Sequence, residues 1–189
     1  FNDIGGKRIY VVDSDAISSI LSTGSFSVGA TTVTPTDLSC VCTTQITSME
    51  DMFKDKATFN DDISSWDTSN VTNMQQMFMG TTSFTININS WDVSSVTDMD
   101  GMFRAATSFN QPLDNWNVGN VTTMSNMFRE ASAFNQHLNS WDVGKVRYMQ
   151  FLFKSSNFNQ PLNNWDVSSV QNMQEMFMDT PFNQPIDNW

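Results

Sequence analysis

Tryptophan falls at positions 66, 91, 116, 141, 165 and 189, so successive indoles are separated by 25, 25, 25, 24 and 24 residues. Other columns keep the same step. The Met52-Phe53 pair returns as Met77-Phe78, Met102-Phe103, Met127-Phe128 and Met176-Phe177, with Leu152-Phe153 in the fifth place. A second Phe column runs through Phe59, Phe84, Phe109, Phe134, Phe158 and Phe182, and an aliphatic one through Ile63, Ile88, Leu113, Leu138, Leu162 and Ile186. Ile46, Val71, Val96, Val121, Val146 and Val170 each stand three residues before a Met. Self-similarity at a fixed period of about 20–50 residues marks a tandem array, whose units bury their apolar faces on one another. The 24-residue steps lose one residue between the two Phe columns, from Phe153 to Phe158 and from Phe177 to Phe182. That segment reads as a loop that tolerates deletion.

Within one unit, Val71, Met74, Met77 and Phe78 share the spacing of one helix face. Thr72 with Gln75, and Thr47 with Glu50, have the spacing of a helix capping box. A polar turn at Asn110-Gln111-Pro112 leads into a short extended piece, Leu113 to Val118. These patterns predict an α/β repeat solenoid with one short parallel strand and one short helix per 24–25-residue coil. About six copies fill 46–189, the last of them truncated. Residues 1–45 lack the repeat and read as an N-terminal cap: a strand at Ile9-Tyr10-Val11-Val12, a short helix capped by Asp13 or Asp15 and carrying Ile17, Ile20 and Leu21, then a Ser/Thr/Gly-rich loop or weak strand from Ser22 to Pro35. The chain starts at Phe1 and stops at Trp189 in mid-pattern, so the expectation is a piece of a longer protein with further repeats or another domain beyond it.

Nine basic side chains against 20 acidic ones give a net charge of −11. Such a chain has no long-range attraction for phosphates, which argues against a nucleic-acid role and against anionic membrane surfaces. No apolar run approaches the roughly 20 residues of a membrane span, so no membrane insertion is expected in this segment. No nucleophile elbow, phosphate loop or zinc motif is present, and His137 is the single histidine. The expectation is a non-enzymatic protein without cofactors. Cys40 and Cys42 allow either a strained disulfide or a buried thiol at the start of the repeats, and the sequence leaves both open.

Three polar columns run beside the apolar ones. Asp67, Asp92, Asn117, Asp142 and Asp166 follow the Trp column. Asp67, Asp92, Asp142 and Asp166 would be the ligands of a calcium ladder, if any metal is held. The other reading has each side chain capping N–H groups of the next turn, and Asn117, which drops the charge but keeps the acceptor, favours it. Asn60, Asn110, Asn135, Asn159 and Asn183, with Thr85 in the second place, read as a stacked turn ladder rather than a sugar-binding row. Thr47, Thr72, Thr97 and Thr122 read as caps. Eleven of the 13 Met residues sit in apolar columns, which assigns them to the core.

The run Phe109-Asn110-Gln111-Pro112-Leu113, Trp116-Asn117-Val118, Val121-Thr122-Thr123-Met124 and Met127-Phe128 resembles the repeat of the BspA-type leucine-rich-repeat surface proteins. The likeness spans about residues 46–189. It implies a leucine-rich-repeat-like solenoid, extracellular or at the cell surface, used for adhesion or protein binding. The Leu-x-x-Leu-x-Leu spacing of ordinary leucine-rich repeats is missing, with Phe, Met and Trp in its place. Binding would use exposed positions where the copies differ, and Lys145, Arg147 and Tyr148 form the best such patch. The expected partner is a protein or glycan on another cell or surface. A structural stalk or spacer and a carbohydrate-binding module are the alternatives, and an uncapped last coil would favour end-to-end self-association.

Overall fold

The computed structural model describes residues 2–4, 7–11, 26–28, 31–33 and 41–189. From Ile46 on, the chain winds through six units, here called coils 1–6: 46–70, 71–95, 96–120, 121–145, 146–169 and 170–189. Each coil is a succession of tight turns. In coil 3 the N–H groups of Met102, Arg104 and Ala106 donate to the carbonyls of Met99, Gly101 and Phe103, three residues back in each case. Between these turn bonds, alternate N–H groups point along the stack. Met99, Gly101, Phe103 and Ala105 donate to the carbonyls of Thr123, Ser125, Met127 and Arg129 in coil 4 at 2.8–3.1 Å. Equivalent bonds join the other neighbouring coils. Single-residue parallel bridges run Ser48, Asn73, Asp98, Thr123, Tyr148, Asn172 along one edge.

The expected helix and strand of each coil do not form, and this corrects the α/β solenoid reading. Among the described residues there is no helix. Among the same residues the strands are β1 (Asn2–Ile4), β2 (Lys7–Val11), β3 (Phe26–Val28), β4 (Thr31–Val33) and β5 (Val41–Cys42). The segment read as helical is where the coil-to-coil bonds lie. The reason is a left-handed residue at two fixed points of every coil, four positions apart: Asp51 and Asp55, Gln76 and Gly80, Gly101 and Ala105, Asn126 and Glu130, Phe151 and Ser155, Glu175 and Asp179. A single left-handed residue stops helix propagation, so donors that a helix would satisfy internally turn to the next coil. Gly, Asn, Asp and Ser, which supply seven of the twelve, are poor helix formers. At Gly80 a Cβ would stand 2.5 Å from Asp55 Oδ1, so the glycine also makes room for the coil before it. The expected capping boxes fail with the helix. The Thr72, Thr97 and Thr122 hydroxyls donate to the carbonyls of Thr47, Thr72 and Thr97 one coil back, at 3.1–3.2 Å.

The apolar columns meet in a continuous core. Phe53, Phe78, Phe103, Phe128, Phe153 and Phe177 stack ring on ring at 5.3–5.8 Å between centroids. Inside each coil the first Phe lies 3.9–4.1 Å from the second. Aromatic planes offset in this way add to simple area burial. The indole N–H groups of Trp91, Trp116, Trp141, Trp165 and Trp189 donate to the carbonyls of Ile63, Ile88, Leu113, Leu138 and Leu162 at 2.9–3.1 Å. Each tryptophan therefore buries its apolar body without stranding its donor.

The one-residue deletion leaves this core unchanged. In coils 2 and 3 the second Phe closes a backbone turn, Phe84 onto Thr81 and Phe109 onto Ala106. In coils 5 and 6 a hydroxyl substitutes for the missing peptide: Phe158 and Phe182 donate to Ser156 Oγ and Thr180 Oγ1, which donate to the carbonyls of Phe153 and Phe177.

Toward the N-terminus β1 pairs antiparallel with β2, and β2 pairs parallel with β5, Tyr10 opposite Val41. β2 is the strand expected around Ile9. The stretch read as a loop or weak strand carries the hairpin β3–β4. The expected helix at Ile17–Leu21, with its Asp13 or Asp15 cap, and the Cys40 thiol lie outside the described residues.

Candidate binding surface

The polar columns are largely consumed by the stack itself. In the aspartate column the Oδ1 atoms of Asp67, Asp92, Asn117, Asp142 and Asp166 accept from the N–H two residues on, at 2.9–3.2 Å. That is capping of the local turn by each side chain, with Asn117 equivalent to its charged neighbours. Among the described residues no three His, Cys, Asp or Glu side chains gather as a metal-ion site. In the asparagine column the side-chain carbonyls of Asn60, Asn110, Asn135 and Asn159 accept from the backbone N–H of Thr85, Asn135, Asn159 and Asn183, one coil further along.

Four carboxyls depart from their ordinary values, Glu175 held low by the bond from Lys154. The Ser94 and Ser168 bonds hold Asp92 and Asp166 below the ordinary carboxylate value of 3.8. Burial, aided by the Asp98 charge, pushes Asp100 above it, against the bond from Asn126. The signs are opposite. Asp92 and Asp166 contribute stability above the unfolded value that is lost as pH falls through their depressed folded values. The half-buried Asp100 contributes stability only below the unfolded value, lost as pH rises through its folded one. Asp100→Asn should therefore raise the melting temperature at pH 7 by about 1–3 °C, and the gain should vanish near pH 3. Scanning calorimetry at the two pH values checks this, and an equal gain at both would refute the assignment.

Lys145, Arg147 and Tyr148 lie at the passage from coil 4 into coil 5, and all three are exposed. Val146 between them is buried in the core. Lys145 Nζ donates to Asn120 Oδ1 at 2.7 Å. The Arg147 backbone is fixed on both sides, its N–H to Thr122 and its carbonyl accepting from Gln171. Tyr148 occupies the bridge column and is 43% exposed, where the other coils carry Ser, Asn, Asp, Thr and Asn.

The outward face of the same coil holds residues that column reading missed. Phe151 sits at a left-handed position, φ 60°, in the place of Asp51, Gln76, Gly101, Asn126 and Glu175. A left-handed backbone costs a bulky side chain about 1–2 kcal/mol. Phe151 is half-buried and does not belong to the packed core. Two cations stand over its ring, Arg129 Cζ at 5.8 Å and Lys154 Nζ at 5.3 Å from the centroid. Arg129 also pairs with Glu130, and Lys154 with Glu175. The signal available in the sequence was an aromatic in a column that is polar in four coils and Gly in a fifth.

The fold and surface together define a tandem-repeat protein of stacked turns whose variable residues lie outside. A family model described as "Mycoplasma protein of unknown function, DUF285" matches residues 23–124 and 111–189. The chain belongs to that family. No curated protein and no solved structure matches it.

Proposed function

We propose that this chain is a non-catalytic binding or adhesion module, secreted or carried at the cell surface, that engages a protein or glycan through the junction of coils 4 and 5. The observation that carries the reading is the contrast between columns. Asn, Asp, Thr and Trp side chains that define the repeat are spent on turns and neighbouring coils. Lys145, Arg147 and Tyr148 break the pattern and point outward. Exposed Tyr and Arg are over-represented among residues that dominate protein interfaces. The resemblance to BspA-type surface proteins supports the location.

Binding of the labelled protein to panels of immobilised surface proteins and glycans tests this. Arg147→Ala with Tyr148→Ser should weaken a hit by at least about tenfold, some 1.4 kcal/mol, at an unchanged melting temperature. No hit on either panel, together with tolerance to an altered number of coils, would favour a stalk that spaces other domains.

A further inference from the structure

We propose that the repeats form an extensible tether: a pull transmitted along the stack takes coils off one at a time, and each winds back when the pull relaxes. Such a device serves a binding module and a stalk equally, so it stands apart from the reading above.

The direction of the bonds carries the inference. Coil 6 is held to coil 5 by the N–H groups of Met149, Phe151, Phe153 and Ser155, which donate to the carbonyls of Asn172, Gln174, Met176 and Met178 at 2.8–3.0 Å. The Gln171 N–H returns a bond to the Arg147 carbonyl at 2.8 Å. Trp189 Nε1 donates to the Leu162 carbonyl, and the Asn183 N–H to Asn159 Oδ1, both at 3.1 Å. These bonds lie along the stack and across the run of the chain. A load along the run of paired segments strains every bond together. A load across it strains the outermost bond first and passes to the next only when that one parts. A pull from the C-terminal side therefore meets the Trp189 and Asn183 bonds before the four backbone bonds, and the coil peels.

The range of the contacts confines each event to one coil. From coil 2 on, no hydrogen bond or ring contact among the described residues reaches past the neighbouring coil. Phe177, Phe182 and Trp189 lie 5.8–6.3 Å from Phe153, Phe158 and Trp165 and reach no ring of coil 4. Losing coil 6 thus leaves coils 1–5 with the bonds they make among themselves. Arrays whose units touch only their neighbours open by single repeats. Coil 5 then presents Phe153, Phe158 and Trp165 outward, the same three columns that coil 6 presented. The returning coil finds like rings one repeat away, and a loop this short is cheap to close.

One coil of 24 or 25 residues spans at most about 80–90 Å once released. While wound it takes up about 5 Å of the stack. Because successive coils carry the same columns, they yield at similar loads. A chain held between two surfaces that move apart then lengthens in steps, and the contact at its end is spared a rising pull.

Optical-tweezers stretching of the whole chain, held by peptide tags at both ends, tests the proposal. Slow pulling should give successive rips that each release the contour of one coil, and relaxation should recover them at close to the same force. A rip of another length is assigned to residues 1–45. Phe128→Ala should lower the force of the rips that part coil 4 from its neighbours and leave the others unchanged. Removing 96–120 should erase one rip. A single rip that releases 46–189 together, or rips of two or more coils at a time, would overturn the tether. So would a loss of force in Phe128→Ala shared by every rip, or released coils that fail to rewind. The panels above decide the binding reading by themselves, whichever way the stretching comes out.

Discussion

Phe128→Ala should lower the melting temperature by about 10 °C, the largest effect of any single truncation in the stack. Its ring lies 3.9 Å from Phe134, 5.6 Å from Phe103 and 5.7 Å from Phe153, and 6.4 Å from Trp141. It is fully buried in a middle coil, so no end of the stack can relax into the void. Removing a buried Phe costs about 3–5 kcal/mol through lost transfer energy and an unfilled cavity. For a chain of this size each kcal/mol shifts melting by about 2–4 °C. Phe182→Ala is the matching control. Its ring stacks on Phe158 and Phe177 but is only half-buried in coil 6, so it should cost less than half as much. Equal losses at the two sites, read by thermal unfolding, would mean that the rings do not act as one stacked column.

Whole-coil deletion should be tolerated where half-coil deletion is not. Removing 96–120 brings Val121 into register behind Ser95, so that coil 2 meets coil 4. Threonine, tryptophan and phenylalanine columns then find like partners, and Asn135 meets Thr85 where Asn110 met it before. Stability should fall modestly, as nearest-neighbour terms are lost for one coil. Removing 96–108 deletes the first Phe of the coil and keeps the second, so coil 2 faces a half-coil that leaves half of its columns without a partner in the middle of the stack. That variant should show no cooperative unfolding transition. Circular dichroism melts distinguish the two, and a folded half-coil variant would show that the period does not govern the fold.

The period, the core columns and the deletable loop were all legible in the chain, because burial in a stack demands the same side chain at the same point of each turn. Trp66, Trp91 and Trp116 gave the step, and the rings stack where the Phe columns put them. What the residues hid was the backbone path. Val71, Met74, Met77 and Phe78 have helical spacing, yet tight turns interrupted at Gln76 and Gly80 send the same side chains inward. Hydrophobic spacing reports which side chains are buried and is silent on whether an N–H bonds within its own segment or to a neighbour. The clue was weak: two small or polar residues four apart in most coils. Thr72 was read as a cap because threonine at that spacing often is one, whereas its hydroxyl serves the previous coil. The aspartate and asparagine columns were easier, since a polar residue held at a constant place beside a core column has few ways to be satisfied. On the surface, Tyr148 was visible as a break in its column. Phe151 was not, since its meaning depends on a φ angle and on two cations from different coils.

From Trp91 on, the donor on each indole belongs to one coil and its acceptor to the coil before. All the bonds that join coils span 21–28 residues of chain. Contacts of such uniform short range keep loop-closure costs low however many units are strung together. A ribosome adding about 5–20 residues per second releases a new coil every one to five seconds or so, and each finds its template already in place. The molecule can thus be assembled in the order it is made, one coil upon the last, with no need to wait for its far end.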